Sequence, residues 1–293
     1  MLNKLTTGIW LGVGCAFATM LPVTALAADA APTPTHTFTP NIGVVSDYLF
    51  RGVSQTHGKP ALQGGVDYAH ASGLYAGIWG STITWVKDAN GKGSTEVDIY
   101  GGYKNTFAGG DWNYDVGLIT YNYPGHGPAV PNVNATPNTT EVYGAIGYKW
   151  LTMKYSQAVS TNFIGWQGGT AFDQKTRGSG YLELNAAYDL GGGWGVSGHL
   201  GNQKVKNSVN VPGGALSANY ADWNIGVTKE SSFGVVGLTY SDTNTSGTCT
   251  QVFGGSTNPY CWGAGNWTST TASTTYFRDV SKGTLVLSLK KTF

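Results

Sequence analysis

The chain has 293 residues, of which only 11% are charged, while 13% are aromatic and 44 are glycines. An ordinary soluble domain carries roughly a quarter charged residues. The net charge of +1 excludes a nucleic-acid-binding protein held by bulk electrostatics. The aromatic content argues against disorder, and a mean hydropathy of -0.14 is too polar for a bundle of membrane helices. These values predict a β-rich protein that is apolar by pattern rather than by long runs.

The first residues have the features of a secretory signal peptide. An apolar stretch over 9–20 follows an early lysine, and residues 25–27 (Ala-Leu-Ala) form a small-x-small cleavage site. The alternative is an uncleaved anchor, since roughly 20 apolar residues span a bilayer, but Pro22 favours cleavage. We expect residues 1–27 to be removed. Residues 28–40, rich in Pro and Thr, then form a short periplasmic tail that does not join a central strand.

Beyond residue 40 the hydrophobic period is two. In the segment 180–190, Leu182 and Leu184 alternate with Glu183 and Asn185. An apolar face and a polar face over about ten residues are the signature of a membrane strand. About twelve such segments are predicted, near 42–51, 61–69, 74–82, 95–104, 112–122, 140–148, 151–159, 180–190, 194–203, 220–229, 233–242 and 283–293.

The connections between these segments alternate in length. The short ones cover 70–73, 105–111, 149–150, 191–193 and 230–232. The long ones cover 52–59, 83–94, 124–139, 160–179, 204–219 and 243–282. Short turns at one end and long loops at the other are typical of outer-membrane barrels, and an even strand count returns both termini to the periplasm. We therefore predict that residues 41–293 form an all-β fold, a transmembrane antiparallel up-and-down barrel of about 12 strands with short periplasmic turns and long extracellular loops.

The alternative fold is a soluble β-sandwich whose aromatic residues fill a core. Sandwich strands are about five or six residues long, shorter than the segments here. Amphipathic rings concentrate at a membrane interface. Nine aromatic residues fall near the rim of the short turns: Tyr68, Tyr103, Trp112, Tyr114, Tyr148, Tyr188, Trp194, Phe233 and Phe293. Their placement favours the barrel.

The last predicted strand ends in Phe293, which is two-periodic with Leu285, Leu287 and Leu289. This pattern looks like the C-terminal signal read by the outer-membrane assembly machinery, although Lys291 departs from the apolar series. We therefore expect Phe293 to serve as an assembly signal.

Several motifs carry a family resemblance. Residues 46–55 (SDYLFRGVSQ) and 60–68 (PALQGGVDY) resemble the opening hairpin of the TorF-type porin family of proteobacterial outer membranes. The resemblance continues to the C-terminus through GLYAGIWGS at 73–81, EVDIY at 96–100, YDVG at 114–117, YNYPG at 121–125, TEVYG at 140–144 and LTYSDT at 238–243. It implies an outer-membrane channel and brings neither an established substrate nor catalytic residues.

An enzymatic function receives little support from the sequence. An outer-membrane phospholipase needs a serine nucleophile beside a histidine on the outer face. Only His199 lies in the middle of a predicted strand, on the lumen side and two residues from Ser197, with no third orienting residue evident. A solvated lumen histidine is the favoured interpretation. The His and Cys spacings offer no metal site, and no cofactor is expected.

The two cysteines beyond the signal peptide, Cys249 and Cys261, bracket residues 250–260 in the longest loop. An even pair in an exported protein predicts one disulfide, here on the extracellular side. The alternative is two unpaired loop cysteines.

Twelve strands about 4.8 Å apart, tilted by ~40°, leave an opening on the order of 12 Å across once side chains fill the rim. Such a pore suits passive diffusion of small hydrophilic solutes. The alternative function is a non-conducting barrel that presents its loops as an adhesin or structural surface protein. The expected partners are outer-membrane lipid, the assembly machinery and small solutes, with no nucleic acid. The sequence leaves the solute and the oligomeric state open.

Charged residues on the polar faces are expected to line this pore: Asp47, Arg51, Asp67, Glu96, Asp98, Asp115, Glu141, Lys154, Glu183 and Asp222. An acidic belt follows the long loops at similar depth, made of Glu96, Asp98, Glu141, Glu183 and Asp222. A ring of carboxylates favours cations over anions, so we predict a weakly cation-selective channel. Alternatively, Arg51, Lys154 and lumen tyrosines tie the carboxylates into a network that merely fills the barrel.

Overall fold

The computed structural model describes residues 34–88, 92–125, 136–166, 174–207, 209–211, 214–250, 256–263 and 277–293. Twelve long strands, each paired with the next, form a closed barrel. Their bounds are β1 His36–Val45, β2 Ala61–His70, β3 Leu74–Thr82, β4 Thr95–Phe107, β5 Trp112–Asn122, β6 Thr139–Tyr148, β7 Leu151–Ala158, β8 Gly180–Gly191, β9 Trp194–Lys204, β10 Tyr220–Ser231, β11 Gly234–Thr243 and β12 Thr284–Thr292. The predicted signal peptide, 1–27, lies outside the described residues.

Short elements occur in the connections. Among the described residues they are a helical turn at Trp85–Asp88, a 3-10 turn at Ala108–Gly110, and three pairs of short antiparallel strands. These pair Leu49–Phe50 with Val53–Ser54, Val209–Val211 with Gly214–Leu216, and Cys261–Gly263 with Phe277–Asp279. The barrel strands dominate, so the predicted fold class is confirmed.

The period-two pattern places apolar side chains outside the barrel and polar ones inside. On β3, Leu74 and Ile78 are 55% and 49% exposed, whereas Tyr75 is only 8% exposed. On β4, Ile99 faces outward, while Asp98 is completely buried. A soluble protein buries large apolar residues and exposes its carboxylates. This inversion matches a barrel with a hydrocarbon-facing exterior and a polar interior.

The loops alternate in length as predicted. Residues 71–73, 108–111, 149–150, 192–193 and 232–233 form the short turns, and we call this end of the barrel the short-turn end. The turn after the Gly191–Trp194 pair has two residues, with φ of 62° at Gly192 and 75° at Gly193. Two consecutive positive φ angles define the type I′ turn that suits the twist of a hairpin, and glycine adopts them without strain. The opposite end is called the long-loop end.

The first strand differs from its prediction. It spans His36–Val45 rather than 42–51, so the predicted periplasmic tail 28–40 contributes its last residues to the barrel wall. Pro40 is tolerated in this strand. Its carbonyl faces β12, where it accepts a hydrogen bond from the amide of Phe293, 3.0 Å away. N–H and C=O of one strand residue point the same way, so the missing N–H faces the end of β12 and no bond to β2 is lost.

The Val44–Leu62 and Val45–Ala61 pairs join β1 directly to β2 at the long-loop end, while β1 also pairs with β12 to close the barrel. Residues 46–60 therefore begin and end at adjacent positions on the wall. This segment, which we call the first loop, does not extend away from the barrel.

Candidate functional site

The first loop folds into the lumen. Tyr48, Leu49 and Phe50 are all at least nine-tenths buried. A turn at Arg51 and Gly52, with φ of 50° and 78°, reverses the chain. Glycine meets the second of these angles without a Cβ clash. We call residues 48–54 the lumen hairpin.

The lumen hairpin contacts the wall on several sides. The Tyr48 ring packs edge-on against Trp79 of β3, with 5.6 Å between the ring centroids, and Phe50 packs likewise on Tyr121 of β5 at 5.5 Å. On the other side, the hydroxyl of Tyr220 on β10 donates to the Arg51 carbonyl at 2.8 Å. The hairpin therefore bridges opposite parts of the barrel.

Two predicted site residues are corrected by this arrangement. Asp47 and Arg51 were expected on the first barrel strand, but both lie in the first loop after β1 has ended at Val45. The alternation of Tyr48 and Phe50 resembled that of a wall strand because both rings are buried against the lumen side of other strands.

Arg51 is bound by a carboxylate of the acidic belt. Its Nη1 and Nη2 atoms donate to Oε1 and Oε2 of Glu141 at 3.0 and 2.8 Å, and the two side chains are only 8% and 1% exposed. The guanidinium carbon also lies 4.1 Å from the ring centroid of Tyr181. A bidentate pair of this kind fixes orientation as well as position, so Arg51 fastens the hairpin tip to β6 and β8.

Asp47 organises the base of the first loop. One of its carboxylate oxygens accepts hydrogen bonds from Ser54 Oγ at 2.6 Å, Thr56 Oγ1 at 2.9 Å and the Gly58 amide at 3.3 Å. Burial raises the pKa of the Asp47 carboxyl, and these three hydrogen bonds act in the opposite direction. Asp47 is therefore a structural residue of the loop.

A second polar group lies on β8, β9 and β10. The Tyr181 hydroxyl donates to both oxygens of Asp222, at 2.9 and 3.0 Å. His199 lies between Asp222 and Asn185, with Nε2 3.0 Å from the Asp222 carboxylate and Nδ1 2.7 Å from the Asn185 amide oxygen. Because Tyr181 also stacks against Arg51, this group adjoins the hairpin tip.

Glu183 and Lys154 form a third interaction in the belt. They face each other on the paired strands β8 and β7, with Nζ 3.7 Å from Oε1, and Asn185 donates to the other carboxylate oxygen at 2.9 Å. Thus Glu141 and Glu183 each have a cationic partner, and Asp222 has a tyrosine and a histidine.

Glu96 and Asp98, the remaining members of the belt, differ from the others. They are 1% and 0% exposed. The Tyr123 hydroxyl reaches Glu96 at 3.5 Å. Neither oxygen of Asp98 has a hydrogen-bond partner among the described residues. Glu96 and Asp98 therefore have no paired cation in the described part of the chain.

Tyrosines surround the remaining predicted carboxylates, nearer the short-turn end. Tyr75 donates to Asp115 at 2.6 Å and contacts the Tyr143 hydroxyl, while Tyr100 donates to Asp67. Phenol donors solvate these carboxylates without cancelling their charge.

Glycines opposite these tyrosines make room for their rings. Gly77 pairs with Tyr100 and Gly102 with Tyr75. A Cβ on Gly77 would lie 2.3 Å from the Tyr100 ring, and one on Gly102 would lie 2.5 Å from the Tyr75 hydroxyl. An aromatic ring that covers a cross-strand glycine pins the register of a sheet.

Two lumen cations were missed by the sequence analysis. Lys104 lies 5.0 Å from the Tyr75 ring centroid and interacts with Asp115 and Asp67, and Lys290 also interacts with Asp67. Both could have been found from parity, because Lys104 shares the polar face of β4 with Asp98 and Lys290 the inner face of β12 with Val286.

Cys249 and Cys261 form a disulfide, as predicted. Cys261 begins the short strand that pairs with Phe277–Asp279 at the long-loop end. The disulfide therefore lies next to this pair of short strands.

The strand Phe277–Asp279, which pairs with Cys261–Gly263, and the residue after it contact the first loop. The Val280 carbonyl accepts from the Ser54 amide at 2.7 Å, and Arg278 Nη1 donates to the His57 carbonyl at 2.7 Å. These two hydrogen bonds hold the first loop in place at the long-loop end.

Across the described residues, no helix is long and apolar enough to cross a membrane. The same residues contain no group of three His, Cys, Asp or Glu side chains able to hold a metal ion. Phe293 is 69% exposed beside the end of β12, and its predicted role in assembly stays a prediction.

Comparisons with solved structures find outer-membrane barrels. The NanC porin is 10% identical, with a TM-score of 0.49 over 87% of this chain and 98% of that chain. The KdgM porin, solved with disordered oligogalacturonate, is 6% identical, with a TM-score of 0.46 over 88% and 98%. OprD of Pseudomonas aeruginosa is 9% identical, with a TM-score of 0.39 over 80% and 59%.

No curated protein gives a significant match. A family model described as "Bacterial protein of unknown function (Gcw_chp)" matches residues 29–293. That range includes every barrel strand, the first loop and the disulfide. The chain therefore belongs to the Gcw_chp family of bacterial proteins.

Proposed function

We propose that the protein is an outer-membrane channel for passive diffusion of small hydrophilic solutes. The observation that carries this proposal is the charged and polar interior face enclosed by an apolar exterior. Long-chain apolar residues such as Leu182, Leu200 and Ile225 are 47%, 60% and 62% exposed on the outside. A barrel interior rich in ionisable groups is suited to water and solutes rather than to a packed apolar core.

The interior is not uniformly filled. Asn185, Ser197 and Asn224 on β8 to β10 point inward and retain partial solvent exposure. These neutral polar side chains form a hydrophilic lining beside the lumen hairpin. Since the hairpin occupies part of an opening on the order of 12 Å, the route suits ions and small solutes.

Weak cation selectivity is part of the proposal. Arg51 and Lys154 compensate Glu141 and Glu183. Glu96 and Asp98 lack such partners in the described residues. The proposed selectivity requires that they be ionised, since a carboxylate in a pore favours cations only as the anion. The alternative, a carboxylate network that only fills the barrel, fits the pairings of Glu141 and Glu183.

We further propose the route to the membrane. Residues 1–27 act as a cleaved signal peptide, the chain crosses the periplasm, and assembly machinery inserts it with Phe293 as a recognition signal. Short turns then face the periplasm and long loops face outward. We also propose that the chain is related to the TorF-type porins, which the resemblance of residues 46–55 supports.

Planar-bilayer recording tests the function. The purified barrel is expected to give discrete conductance steps and a reversal potential of cation sign under a KCl gradient. Changing Glu96, Asp98, Glu141, Glu183 and Asp222 to amides is expected to lower that potential, whereas Asp111→Asn, at an exposed turn, serves as the control. Anion preference, or no change in the amide variant, would reject the belt as a filter.

The second candidate is a non-conducting barrel that presents its loops as an adhesin or structural surface protein. The lumen hairpin favours this second function, because the hairpin fills part of the barrel at the long-loop end. Folded protein that inserts into bilayers without conductance steps would support this function and contradict the channel.

A further inference from the structure

We propose that the lumen hairpin sets the conductance and ion selectivity of the channel, with Arg51 as its selectivity-determining residue. The inference rests on the proposed channel function. It assigns to residues 48–54 a control of pore size and charge that the acidic belt alone does not provide.

The hairpin contacts the barrel wall on both of its sides. On one side of the hairpin, Tyr48 contacts Trp79 of β3 and Phe50 contacts Tyr121 of β5. At the turn, a Cβ on Gly52 would lie 3.0 Å from the Cβ of Asp222 on β10 and 2.7 Å from Thr243 Cγ2 on β11. The turn is thus in van der Waals contact with the opposite wall, and a solute must pass beside it.

The cross-section gives the expected size of the effect. Paired strands are about 4.8 Å apart and span roughly 10 Å with their side chains. An opening on the order of 12 Å therefore loses more than about half of its area to the hairpin. Removing the hairpin should raise single-channel conductance roughly two- to fivefold.

Arg51 also places a positive charge directly in the acidic belt. It binds Glu141 and stacks on Tyr181, whose hydroxyl contacts Asp222. The guanidinium stays charged at all ordinary pH values. Without it, the Glu141 carboxylate faces the lumen uncompensated, so the pore becomes more cation-selective.

The wall allows the hairpin to be removed cleanly. Val45 and Ala61 are directly paired on β1 and β2, so a two-residue Asn-Gly turn can replace residues 46–60 without stretching either strand. The second variant, Arg51→Met, keeps the hairpin and removes only the charge. Lys149→Met at the exposed short turn is the matched charge-loss control.

Each variant is first checked for heat-dependent gel mobility and β-type circular dichroism, and is then recorded in planar bilayers under a KCl gradient. The excision is expected to raise conductance two- to fivefold, and Arg51→Met to raise the K⁺ to Cl⁻ permeability ratio by at least about twofold. Lys149→Met should resemble the parent.

The outcomes separate the two proposals. A silent parent with a conducting excision variant contradicts passive diffusion through the parent and supports the hairpin as the conductance determinant. Equal conductance in parent and excision variant overturns the hairpin proposal and leaves the channel function intact. An unchanged permeability ratio in Arg51→Met overturns the role of Arg51. If neither folded parent nor folded excision variant conducts, both proposals are wrong.

Discussion

The buried ion pair between Arg51 and Glu141 is expected to be strongly coupled in its effect on stability. Its two hydrogen bonds of 3.0 and 2.8 Å join side chains that are 8% and 1% exposed. Removal of one partner leaves the other buried charge uncompensated, which costs about 3–5 kcal/mol. Arg51→Met and Glu141→Gln should each lower the free energy of unfolding by about that amount.

The double variant carries no orphaned charge at this site. Its free energy of unfolding should therefore fall no further than that of either single variant, which gives a coupling free energy of about 3 kcal/mol or more. Urea unfolding in lipid vesicles, followed by tryptophan fluorescence, measures all four proteins.

The control cycle uses Lys149 and Asp111, whose charged atoms are 3.6 Å apart and whose side chains are 51% and 55% exposed. Solvent screens such a pair, so its coupling should be indistinguishable from zero. A coupling for Arg51 and Glu141 below about 1 kcal/mol, the range of exposed pairs, would refute the argument from burial.

Three further predictions concern the glycines, the first loop and the disulfide. Gly77→Val should displace the Tyr100 ring and lower the free energy of unfolding by about 1–3 kcal/mol, whereas Gly144→Ala, with open space around its Cβ, should not; equal unfolding midpoints would contradict the ring-over-glycine packing. Asp47→Asn should stabilise the protein at neutral pH, because the raised pKa of Asp47 makes the parent gain stability as pH falls toward 3.8; a gap in unfolding midpoint that does not close on acidification would oppose this. Maleimide should label no cysteine in denatured, unreduced protein lacking residues 1–27, and labelling before reduction would count against the disulfide. Reduction should lower the local stability of the loop around Cys249 and Cys261 by about 2–3 kcal/mol, which is measured as faster proteolysis.

The barrel could be predicted from sequence because the membrane imposes one rule on every strand. Leu182 and Leu184 must face hydrocarbon and Glu183 must not, so the pattern repeats along the wall and the strand positions follow. The turn lengths add an independent signal, since hairpin geometry restricts the short end. These local rules held for eleven of the twelve strands to within a few residues.

The first loop escaped prediction because burial inside a lumen and burial inside a wall produce similar local patterns. Tyr48 and Phe50 alternate like strand residues, yet their partners come from β3 and β5. The Arg51–Glu141 pair spans 90 residues, and nothing local in either segment specifies it. Pro40 misled in the opposite direction, since its place at the end of the β12 ladder depends on register rather than on residue type.

The pairing of Val45 with Ala61 has a consequence for how the molecule is assembled. Both ends of the first loop leave the rim side by side, so the loop can enter the lumen from its own end of the barrel. No chain end has to be threaded through a closed ring. The topology therefore allows closure of the barrel and insertion of the first loop to be separate folding events. The second event adds long-range contacts at little loop-closure entropy, because its ends are already held together.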